Sequence, residues 1–410
     1  MALDPREGLV EFRDFKGLRN TVDERNFDNS DLSVALNCDI DDGLNVTRRK
    51  GFSAVVVAGV DRALFAAGAT CLGVGSNALK QILPNYGTTT LRSGLTALRD
   101  LSYAAVAARV YYTNGVENGV VENGTSRTWG LTVPGLPTAS ATGGSLRAGR
   151  YQFVVTYLRE DGQESGASRA GVFELTSAGG VALSAIPVSA DPTVTHKAVY
   201  ATAVDGGGFY RAGIITNAET VFSILELRTD AAPLETQFLA PPPAGDFIGY
   251  WGGIMLVAQG SRLYPSEPYA PELFDLRKAV PFTDRVVMVA PAKDGVWLGT
   301  DSEIIWLAGD SPEKWTYTQR ADYGVIPGTF AYAPGEHLGD GSGTGDEMVY
   351  FASKRGHCVG HANGTLVNLT ESRFAYPAQE KGAGIVRRHR GTIQFLTTLQ
   401  GSETAANSVS

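Results

Sequence analysis

The stretch "SRLYPSEPYAPELFD" (261–275) carries two carboxylates, Glu267 and Glu272, five residues apart. Glycosidases place two carboxylates about 5–10 Å apart on either side of a sugar bond. Those pairs usually come from different strands, so the spacing within one loop is weak evidence for acid–base catalysis. We favour a structural interpretation, in which Glu267 accepts hydrogen bonds from backbone N–H groups in a rigid turn.

The same stretch is rich in proline, which fixes φ and removes a backbone donor. Pro265, Pro268 and Pro271 are therefore not expected to continue a β-ladder. Tyr264 and Tyr269 are expected to pack inward. The residues assigned to this structural motif are Tyr264, Ser266, Glu267, Pro268, Tyr269 and Pro271.

A second group of reactive side chains lies in "GHCVGHANG", where His357, Cys358 and His361 follow an H-C-x-x-H pattern. Zinc sites normally assemble four ligands, often from paired Cys or His units. The few other histidines and cysteines are distant in the chain. A strand–turn–strand with a buried cysteine and exposed imidazoles is the favoured interpretation, and no metal is predicted.

The acidic segment "GDGSGTGDE" (339–347) places Asp340, Asp346 and Glu347 among four glycines. Calcium loops of the EF-hand type need a different ligand spacing. We expect a mobile loop tip here, with a bound cation as the less favoured alternative.

Nucleophilic and nucleotide chemistry find no support in the sequence. There is no G-x-S-x-G pattern, and "GVGSNALK" (73–80) lacks the Gly-Lys-Ser/Thr end of a phosphate-binding loop. "VDGGGF" (204–209) is not followed by the βαβ unit of a dinucleotide fold. The chain is therefore predicted not to be an enzyme and to need no cofactor.

Composition indicates a turn-rich β protein. Charged residues make up only 19% of the 410 residues, 49 residues are glycine, and the formal net charge is −8. Few charges suggest a surface that a partner chain covers, and the acidic balance argues against tight nucleic-acid binding. The basic runs "TRRKG" (47–51) and "VRRHRG" (386–391) are expected to be solvated strand ends or turns.

The expected compartment follows from cysteine usage and from the first residues. Cys38, Cys71 and Cys358 are too scattered for a disulfide framework, which fits folding in a reducing cytosol. The start "MALDPREGLVEF" has no apolar core of a signal peptide. No apolar run is long enough for a transmembrane helix, so no membrane segment is expected.

Helical periodicity is nearly absent. The best helical segment is 93–110, but "YAAVAARVYYTNG" within and after it favours a strand that ends in an Asn-Gly turn. Elsewhere short apolar or alternating runs are separated by Gly, Asn, Asp and Pro, which is typical of all-β folds.

Two kinds of β-region alternate along the chain. Between "PGLPTASATGG" and "FLAPPPAGDF" lie six or seven short strands, including a hairpin turn at Asp161-Gly162 in "EDGQES"; this is the size of a fibronectin-III or immunoglobulin-like sandwich. The rest shows a loose strand–turn–strand repeat, which suits about six or seven propeller blades. A two-sheet sandwich or barrel is the alternative for this part.

The sequence predicts five parts along the chain. They are an N-terminal arm (1–34), a first propeller part (35–133), an inserted β-sandwich (134–240), a second propeller part (241–400) and a flexible C-terminal tail (401–410).

The order of these pieces resembles a known family. "ALNCDIDDGLNVTRRKGF", "VYYTNGVENGVV", "VTYLREDGQESGAS", "APPPAGDFIGYWGGIMLVAQGSRLYPSEPYAPELF" and "MVYFASKRG" follow one another. This order is similar to that of the tail nozzle or hub proteins of tailed bacteriophages, also called tail stabilisation or tail tubular proteins. The resemblance runs over about 35–400.

The resemblance implies a β-propeller with an inserted sandwich, and a homohexameric ring below the portal and adaptor of a virion assembled in the bacterial cytoplasm. The implied partners are other copies of the chain, the adaptor or head-to-tail connector proteins, and tail fibres or tailspikes. Genomic DNA would pass through the channel without specific binding. Six copies would carry a formal charge of about −48, which would repel DNA from the channel wall.

Two alternatives stay open. One is a minor tail protein of a long-tailed phage. The other is a carbohydrate-binding or carbohydrate-active propeller, for which the acidic loops and five aromatic residues would supply the sugar contacts, although core packing is the better account of the tryptophans. These aromatic residues are Tyr250, Trp251, Trp297, Trp306 and Trp315.

Overall fold

The described part of the chain is built almost entirely from short β-strands. The computed structural model describes residues 14–40, 43–49, 59–335, 346–374, 376, 379–389 and 392–400. Within these ranges the helices are three 3-10 turns, at Glu24–Asn26, Leu276–Lys278 and Pro312–Lys314. The predicted all-β class is therefore confirmed. None of the described helices has the length and apolar character needed to cross a membrane.

The chain divides into two compact units. One comprises residues 59–282, and the other combines the described parts of 1–58 and 283–410. The predicted tail 401–410 and the first 13 residues of the predicted arm lie outside the described residues.

Four short strands begin the described chain and belong to the second unit. Strand β1 pairs in parallel with β2, and β3 pairs antiparallel with β4. These strands are β1 (Gly17–Leu18), β2 (Asp31–Leu32), β3 (Cys38–Ile40) and β4 (Val46–Arg48).

The first unit opens with two four-stranded antiparallel sheets, each formed by consecutive strands. The first sheet contains β5 (Arg62–Ala67), β6 (Thr70–Gly75), β7 (Ala78–Ile82) and β8 (Thr88–Arg92). The second sheet contains β9 (Ser102–Val106), β10 (Arg109–Thr113), β11 (Asn118–Glu122) and β12 (Thr125–Arg127).

The segment 93–110 contains β9 and the start of β10, so the strand interpretation is confirmed over the helical one. The turn after β10 is set by Asn114, whose side-chain oxygen accepts the N–H groups of Val116 and Glu117 at 3.0 and 2.7 Å. This Asx-type turn reverses the chain and brings β11 beside β10.

Seven strands then form two facing sheets, in the orders β13-β16-β19 and β15-β14-β17-β18. Apolar side chains from both sheets, such as Phe153, Val181 and Val199, form the core between them. The seven strands are β13 (Thr138–Leu146), β14 (Gly149–Arg159), β15 (Gly171–Leu175), β16 (Gly179–Ser184), β17 (Val194–Thr202), β18 (Phe209–Thr216) and β19 (Phe222–Ile224).

The chain leaves the sandwich and forms a third sheet, which completes the first unit. Its order is β20-β21-β22-β23, and a short strand, β24, pairs with β22. Met255, Val257 and Phe274 of this sheet share a buried cluster with Tyr111 and Trp129, which come from before the sandwich. The strands are β20 (Phe247–Trp251), β21 (Ile254–Gln259), β22 (Arg262–Glu267), β23 (Ala270–Phe274) and β24 (Val280–Pro281).

The second unit contains two further four-stranded antiparallel sheets and a long hairpin. The fourth sheet contains β25 (Val286–Ala292), β26 (Gly295–Thr300), β27 (Ile304–Ala308) and β28 (Thr316–Ala321). The fifth contains β29 (Ala331–Pro334), β30 (Glu347–Ser353), β31 (Gly356–Gly360) and β32 (Leu366–Asn368). The hairpin contains β33 (Lys381–His389) and β34 (Thr392–Gln400).

Candidate functional site

The predicted motif at 261–275 forms two strands of the third sheet and the turn between them. Ser266 lies at the end of β22, where its buried hydroxyl accepts the Met255 N–H at 2.9 Å and donates to the Glu267 carbonyl at 2.9 Å. Tyr264 is half-buried and packs against the cluster that contains Phe274. These two residues hold β22 in place.

The sequence predicts that the prolines interrupt the β-ladder, but at Pro265 the ladder continues. Pro265 lies within β22, directly opposite Leu256 of β21, so the expectation that it would not continue a ladder is wrong. The Pro271 carbonyl accepts the indole N–H of Trp129 at 2.7 Å. Pro268 is exposed in the turn between β22 and β23. A proline fits in a strand wherever its missing N–H is not needed by a neighbour.

Tyr269 is a second correction. Its side chain is 82% exposed, so it does not pack inward, and its φ of 56° lies in the left-handed region. The backbone N–H of Tyr269 donates to the Gly253 carbonyl at 2.7 Å, which joins the two turns at this end of the third sheet. The turn geometry points the side chain outward because the sharp reversal occurs at Tyr269.

Glu267 has a side-chain partner instead of the backbone donors that the sequence predicted. Its Oε1 accepts from Lys278 Nζ at 3.1 Å. Both side chains are partly exposed, Glu267 by 29% and Lys278 by 42%. Ion pairs at such exposure contribute little to stability.

The other glutamate of the motif, Glu272, is the centre of the site. It is 1% exposed, on the buried face of β23 two residues before Phe274. Arg127 donates to both carboxylate oxygens, at 2.7 and 3.1 Å, and Arg159 Nη2 donates to Oε2 at 3.0 Å. The Gly130 N–H also reaches Oε2, at 3.3 Å. Both oxygens are thus engaged by donors, which leaves neither as a free base.

Further charged groups surround Glu272 and complete what we call the junction cluster: Arg109, Glu122, Arg127, Arg159, Asp161 and Glu272. Arg109 Nε donates to Glu122 at 2.9 Å, and its Nη2 lies 3.5 Å from Asp161. Arg159 Nε donates to Asp161 at 3.0 Å. The cluster therefore holds three guanidinium groups and three carboxylates, and its formal charge is zero.

The surrounding charges favour the ionised forms of Glu122 and Arg159. Burial favours the neutral carboxyl, but hydrogen bonding and the positive charges of Arg109 and Arg127 outweigh it and lower the pKa of Glu122. Burial likewise acts against Arg159, yet Asp161 and Glu272 raise the pKa of its guanidinium. A buried ion network of this kind stabilises only while every member keeps its partner.

Strand ends bring the junction cluster together. Arg109 begins β10, and Glu122, Arg127 and Arg159 end β11, β12 and β14. Asp161 lies in the hairpin turn after β14. The cluster therefore joins the second sheet, the sandwich and the third sheet, at the place where the chain enters and leaves the sandwich.

Backbone contacts reinforce this junction. Ala240 and Phe274 exchange hydrogen bonds, each N–H to the other carbonyl at 2.9 Å, and the Ala167 N–H donates to the Thr236 carbonyl at 3.2 Å. A Cβ on Gly166 would lie 1.7 Å from the Leu239 carbonyl oxygen, so only glycine allows this approach. The exit segment is thereby fixed to both the sandwich and the third sheet.

The histidines and the cysteine of "GHCVGHANG" do not converge. His357 and Cys358 are adjacent on β31 and meet different partners: His357 faces Thr397 at 3.0 Å, and Cys358 faces the Ser353 hydroxyl at 3.4 Å. His361 is buried, and its carbonyl accepts from Trp297 Nε1 at 3.0 Å. The expectation of exposed imidazoles is wrong for this pair. In the described ranges, no three His, Cys, Asp or Glu side chains are grouped as metal ligands.

The acidic loop is only partly described. Asp340 lies outside the described residues, Asp346 pairs with Lys293 Nζ at 2.8 Å, and Glu347 begins β30. Two of the five aromatic residues considered for sugar binding are internal: Trp297 and Trp306 are 0% and 3% exposed and pack on each other, with ring centroids 4.9 Å apart. Tyr250, Trp251 and Trp315 are half-buried.

The junction cluster was not predicted from the sequence, apart from Glu272 and the Asp161 turn. One signal was present: Glu272 alternates with Phe274 on one face of a strand, and a carboxylate on a buried face needs cationic partners. Arg127 and Arg159, the last residues of β12 and β14, are those cationic partners.

Comparison with known proteins leaves the family open. No family model and no curated protein matches the chain. Among solved structures, the extracellular domain of a one-component system from B. thetaiotaomicron has 10% identity and a TM-score of 0.27, with 82% of this chain and 38% of that one covered. Apo AztD from Citrobacter koseri has 10% identity and a TM-score of 0.26, with 88% and 93% covered. The tricorn protease has 11% identity and a TM-score of 0.22, with 84% and 44% covered. The chain thus spans less than half of the first and third of these proteins, and similarities this low say nothing of function.

Proposed function

We propose that this chain is a structural subunit of a bacteriophage tail. In this proposal several copies form a ring, the nozzle or hub below the portal and adaptor, which extends the DNA channel and provides docking sites for fibres or other tail components. The chain performs no catalysis in this role. The repeated sheets are the blades of a β-propeller, and the sandwich is an insertion in it.

The observation that carries the proposal is the succession of sheets along the chain. Five antiparallel sheets of at least four strands follow one another, and a two-sheet sandwich interrupts them once, between the second and the third. Consecutive four-stranded sheets in chain order are typical of propeller blades. The combination of such sheets with one inserted sandwich also matches what the resemblance to tail nozzle proteins implies.

Contacts between the two chain ends support the propeller part of the proposal. Arg387 of β33 reaches Asp39 of β3 at 3.3 Å, across 348 positions of sequence. Arg373 pairs with Asp31 at 2.5 Å, and the Asn20 N–H donates to the Arg373 carbonyl at 2.9 Å. These contacts bring the start and the end of the described chain together within one unit, as a closed ring of blades would require.

The junction cluster supports a mechanical role for the sandwich. A domain inserted through two linkers usually moves relative to its host. Here the six charged groups of the junction cluster, five of them buried or half-buried, and several backbone hydrogen bonds fix it to the second and third sheets. A docking platform in a load-bearing assembly needs a fixed orientation, whereas a mobile arm does not.

Electron microscopy of the purified full chain tests the proposal. We expect negatively stained particles to show rings with a central channel, and sedimentation velocity to show one large, defined oligomer. The adaptor protein encoded in the same genome should bind the ring. A monomer at every concentration and at salt matching that of the virion, with no binding of the adaptor, would overturn the proposal.

A glycan array and a reducing-sugar assay examine the remaining enzyme or lectin alternative. The structural role predicts no reproducible sugar binding and no sugar release. A reproducible signal in either assay would replace the structural proposal with a carbohydrate-directed one.

A further inference from the structure

Strand β13 leaves one edge of the sandwich open. It pairs with β16 on one side, and in the described part of the chain no strand pairs with it on the other. Six of its nine residues are exposed, and all nine are uncharged. Natural proteins usually protect a long edge strand with charges, proline or a covering segment, because its free N–H and C=O groups pair readily with another strand.

The other long edge of the sandwich is protected. Strand β18 is covered by the segment that follows β19: the Arg211 N–H donates to the Ala232 carbonyl at 3.0 Å, and the Leu234 N–H donates to the Phe209 carbonyl at 3.1 Å. The remaining edge strands, β15 and β19, have five and three residues. Of these four edges, β13 is the long one without cover.

The open part of β13 has defined ends. Pro137 precedes it and has no N–H to donate. At the other end the register with β16 shifts between Thr142 and Leu146. A Cβ on Gly144 would lie 2.6 Å from the Gly179 carbonyl oxygen, so the strand approaches β16 there in a way that only glycine permits. The regular edge is therefore the five residues 138–142.

These five residues read the same in both directions, Thr-Ala-Ser-Ala-Thr. Two copies of a palindromic strand can pair antiparallel about a two-fold axis with every residue opposite its own kind. With the axis at Ser140, Thr138 lies opposite Thr142 of the second copy and Ala139 opposite Ala141. Ala139 packs against the sandwich core, so Thr138, Ser140 and Thr142, which alternate with it, lie on the outer face.

We propose that β13 is a self-association edge, through which two copies of this chain pair antiparallel about Ser140 and join their three-stranded sheets into one six-stranded sheet. Threonine and serine pairs opposite each other on one face of an antiparallel ladder are favourable, and the alanine pairs on the other face bring no like charges together. The contact is isologous, because both copies contribute the same surface. It does not rest on the proposed tail function, since a two-fold contact is separate from a head-to-tail ring contact.

Disulfide trapping tests the register directly. In a background carrying Cys38→Ser and Cys71→Ser, which removes the two partly exposed thiols, Ser140→Cys should form a dimer on mild oxidation. Residues directly opposite in an antiparallel pair have Cα atoms about 4.5–5.5 Å apart, within the range of a disulfide. Thr138→Cys alone should not cross-link, since the two copies of position 138 would lie about 13 Å apart along the strands.

A mixture of Thr138→Cys and Thr142→Cys chains should give a mixed disulfide, which neither variant gives alone. Cross-linking of Thr138→Cys to itself would indicate a parallel arrangement and would overturn the proposal. Equal cross-linking at all three positions would indicate random collision and would also overturn it.

Sedimentation equilibrium of the unmodified chain and of Ser140→Lys provides the second arm. Ser140 is exposed, so the lysine should fold normally, but at the axis it would place two ammonium groups opposite each other. We expect the dimer dissociation constant to rise at least tenfold. Ser177→Lys, at an exposed position in the turn between β15 and β16 and outside the segment 138–142, makes the same charge change and should leave association unchanged. An unchanged constant for Ser140→Lys, or a wild-type chain that shows no two-fold association at all, would contradict the proposal.

Discussion

Arg159 and Glu272 lie 113 positions apart in the sequence, and their side chains meet at 3.0 Å where both are almost fully buried. One belongs to the sandwich and the other to the sheet that follows it. A contact of this kind fixes the orientation of the sandwich relative to the surrounding sheets. Its contribution to the free energy of unfolding can be compared with that of Glu267, a carboxylate in the same motif.

Replacing Glu272 with glutamine should destabilise the protein by about 3–5 kcal/mol, because it removes the buried counter-charge that Arg127 and Arg159 share. Glu267→Gln is the matched control, since its partly exposed pair with Lys278 contributes about 0–1 kcal/mol. Urea unfolding of both variants gives the comparison. Equal losses for the two variants would refute the role assigned to Glu272.

Gly166→Ala should cost about 1–3 kcal/mol or more, because the added methyl would overlap the Leu239 carbonyl and push the exit segment away from the sandwich. Gly207→Ala has open space around its new methyl and should be neutral or slightly stabilising. Thermal unfolding separates the two, and limited proteolysis should show earlier cleavage between 232 and 246 in Gly166→Ala alone.

Asp31 should make stability sensitive to strong acid. Hydrogen bonds from Arg19, with a smaller contribution from Arg373, lower the pKa of this carboxyl to about 2, against burial that acts in the opposite direction. A depressed pKa contributes stability above the ordinary carboxyl range, and that contribution is lost as pH falls toward 2.

Asp31→Asn should therefore be less stable than the wild type at pH 7, and the difference should shrink as the pH approaches 2. Urea midpoints measured across this range test the expectation. Asp322→Asn, which removes an exposed partner of Arg355, is the control. A gap between Asp31→Asn and wild type that stays constant with pH would show that the charge of Asp31 plays no part.

His357 should produce a second pH dependence in a milder range. Burial lowers its pKa to about 4, below the ordinary value of 6.5. Between these values the unfolded chain binds a proton that the folded chain does not, so stability is full above pH 6.5 and falls as pH drops toward 4.

His357→Gln should remove that part of the slope, whereas the exposed His196→Gln should retain it. Melting temperatures at pH 7.5, 6 and 4.5 provide the measurement. If His357→Gln loses as much stability as the wild type between pH 6.5 and 4.5, the histidine binds protons alike in the folded and unfolded chain and our account of its environment is wrong.

Local chemistry made the fold class predictable. Asn114-Gly115 and Asp161-Gly162 lie in the predicted hairpin turns, and the apolar run that ends at Asn114-Gly115 favours strands over a helix. These features depend on a few neighbouring residues, so a single sequence contains the whole signal.

The site was less accessible because its partners are far apart. Glu272 meets Arg127 from 145 positions away, and nothing local distinguishes Arg127 from any arginine at a strand end. The prolines around Glu267 make it the conspicuous carboxylate of the motif, yet its side chain is partly exposed and pairs with Lys278. The side chain of Tyr269 points outward because its backbone φ is positive, and a positive φ cannot be predicted from a tyrosine in the sequence.

The charge balance of the junction cluster has a consequence for how such a protein can be remodelled. The sandwich contributes one cation, Arg159, and one anion, Asp161, while the host sheets contribute Arg109, Arg127, Glu122 and Glu272. Each side is therefore neutral by itself. A different domain inserted at this place would therefore leave the net charge of the host sheets unchanged, although it would have to replace the hydrogen bond that Arg159 donates to Glu272.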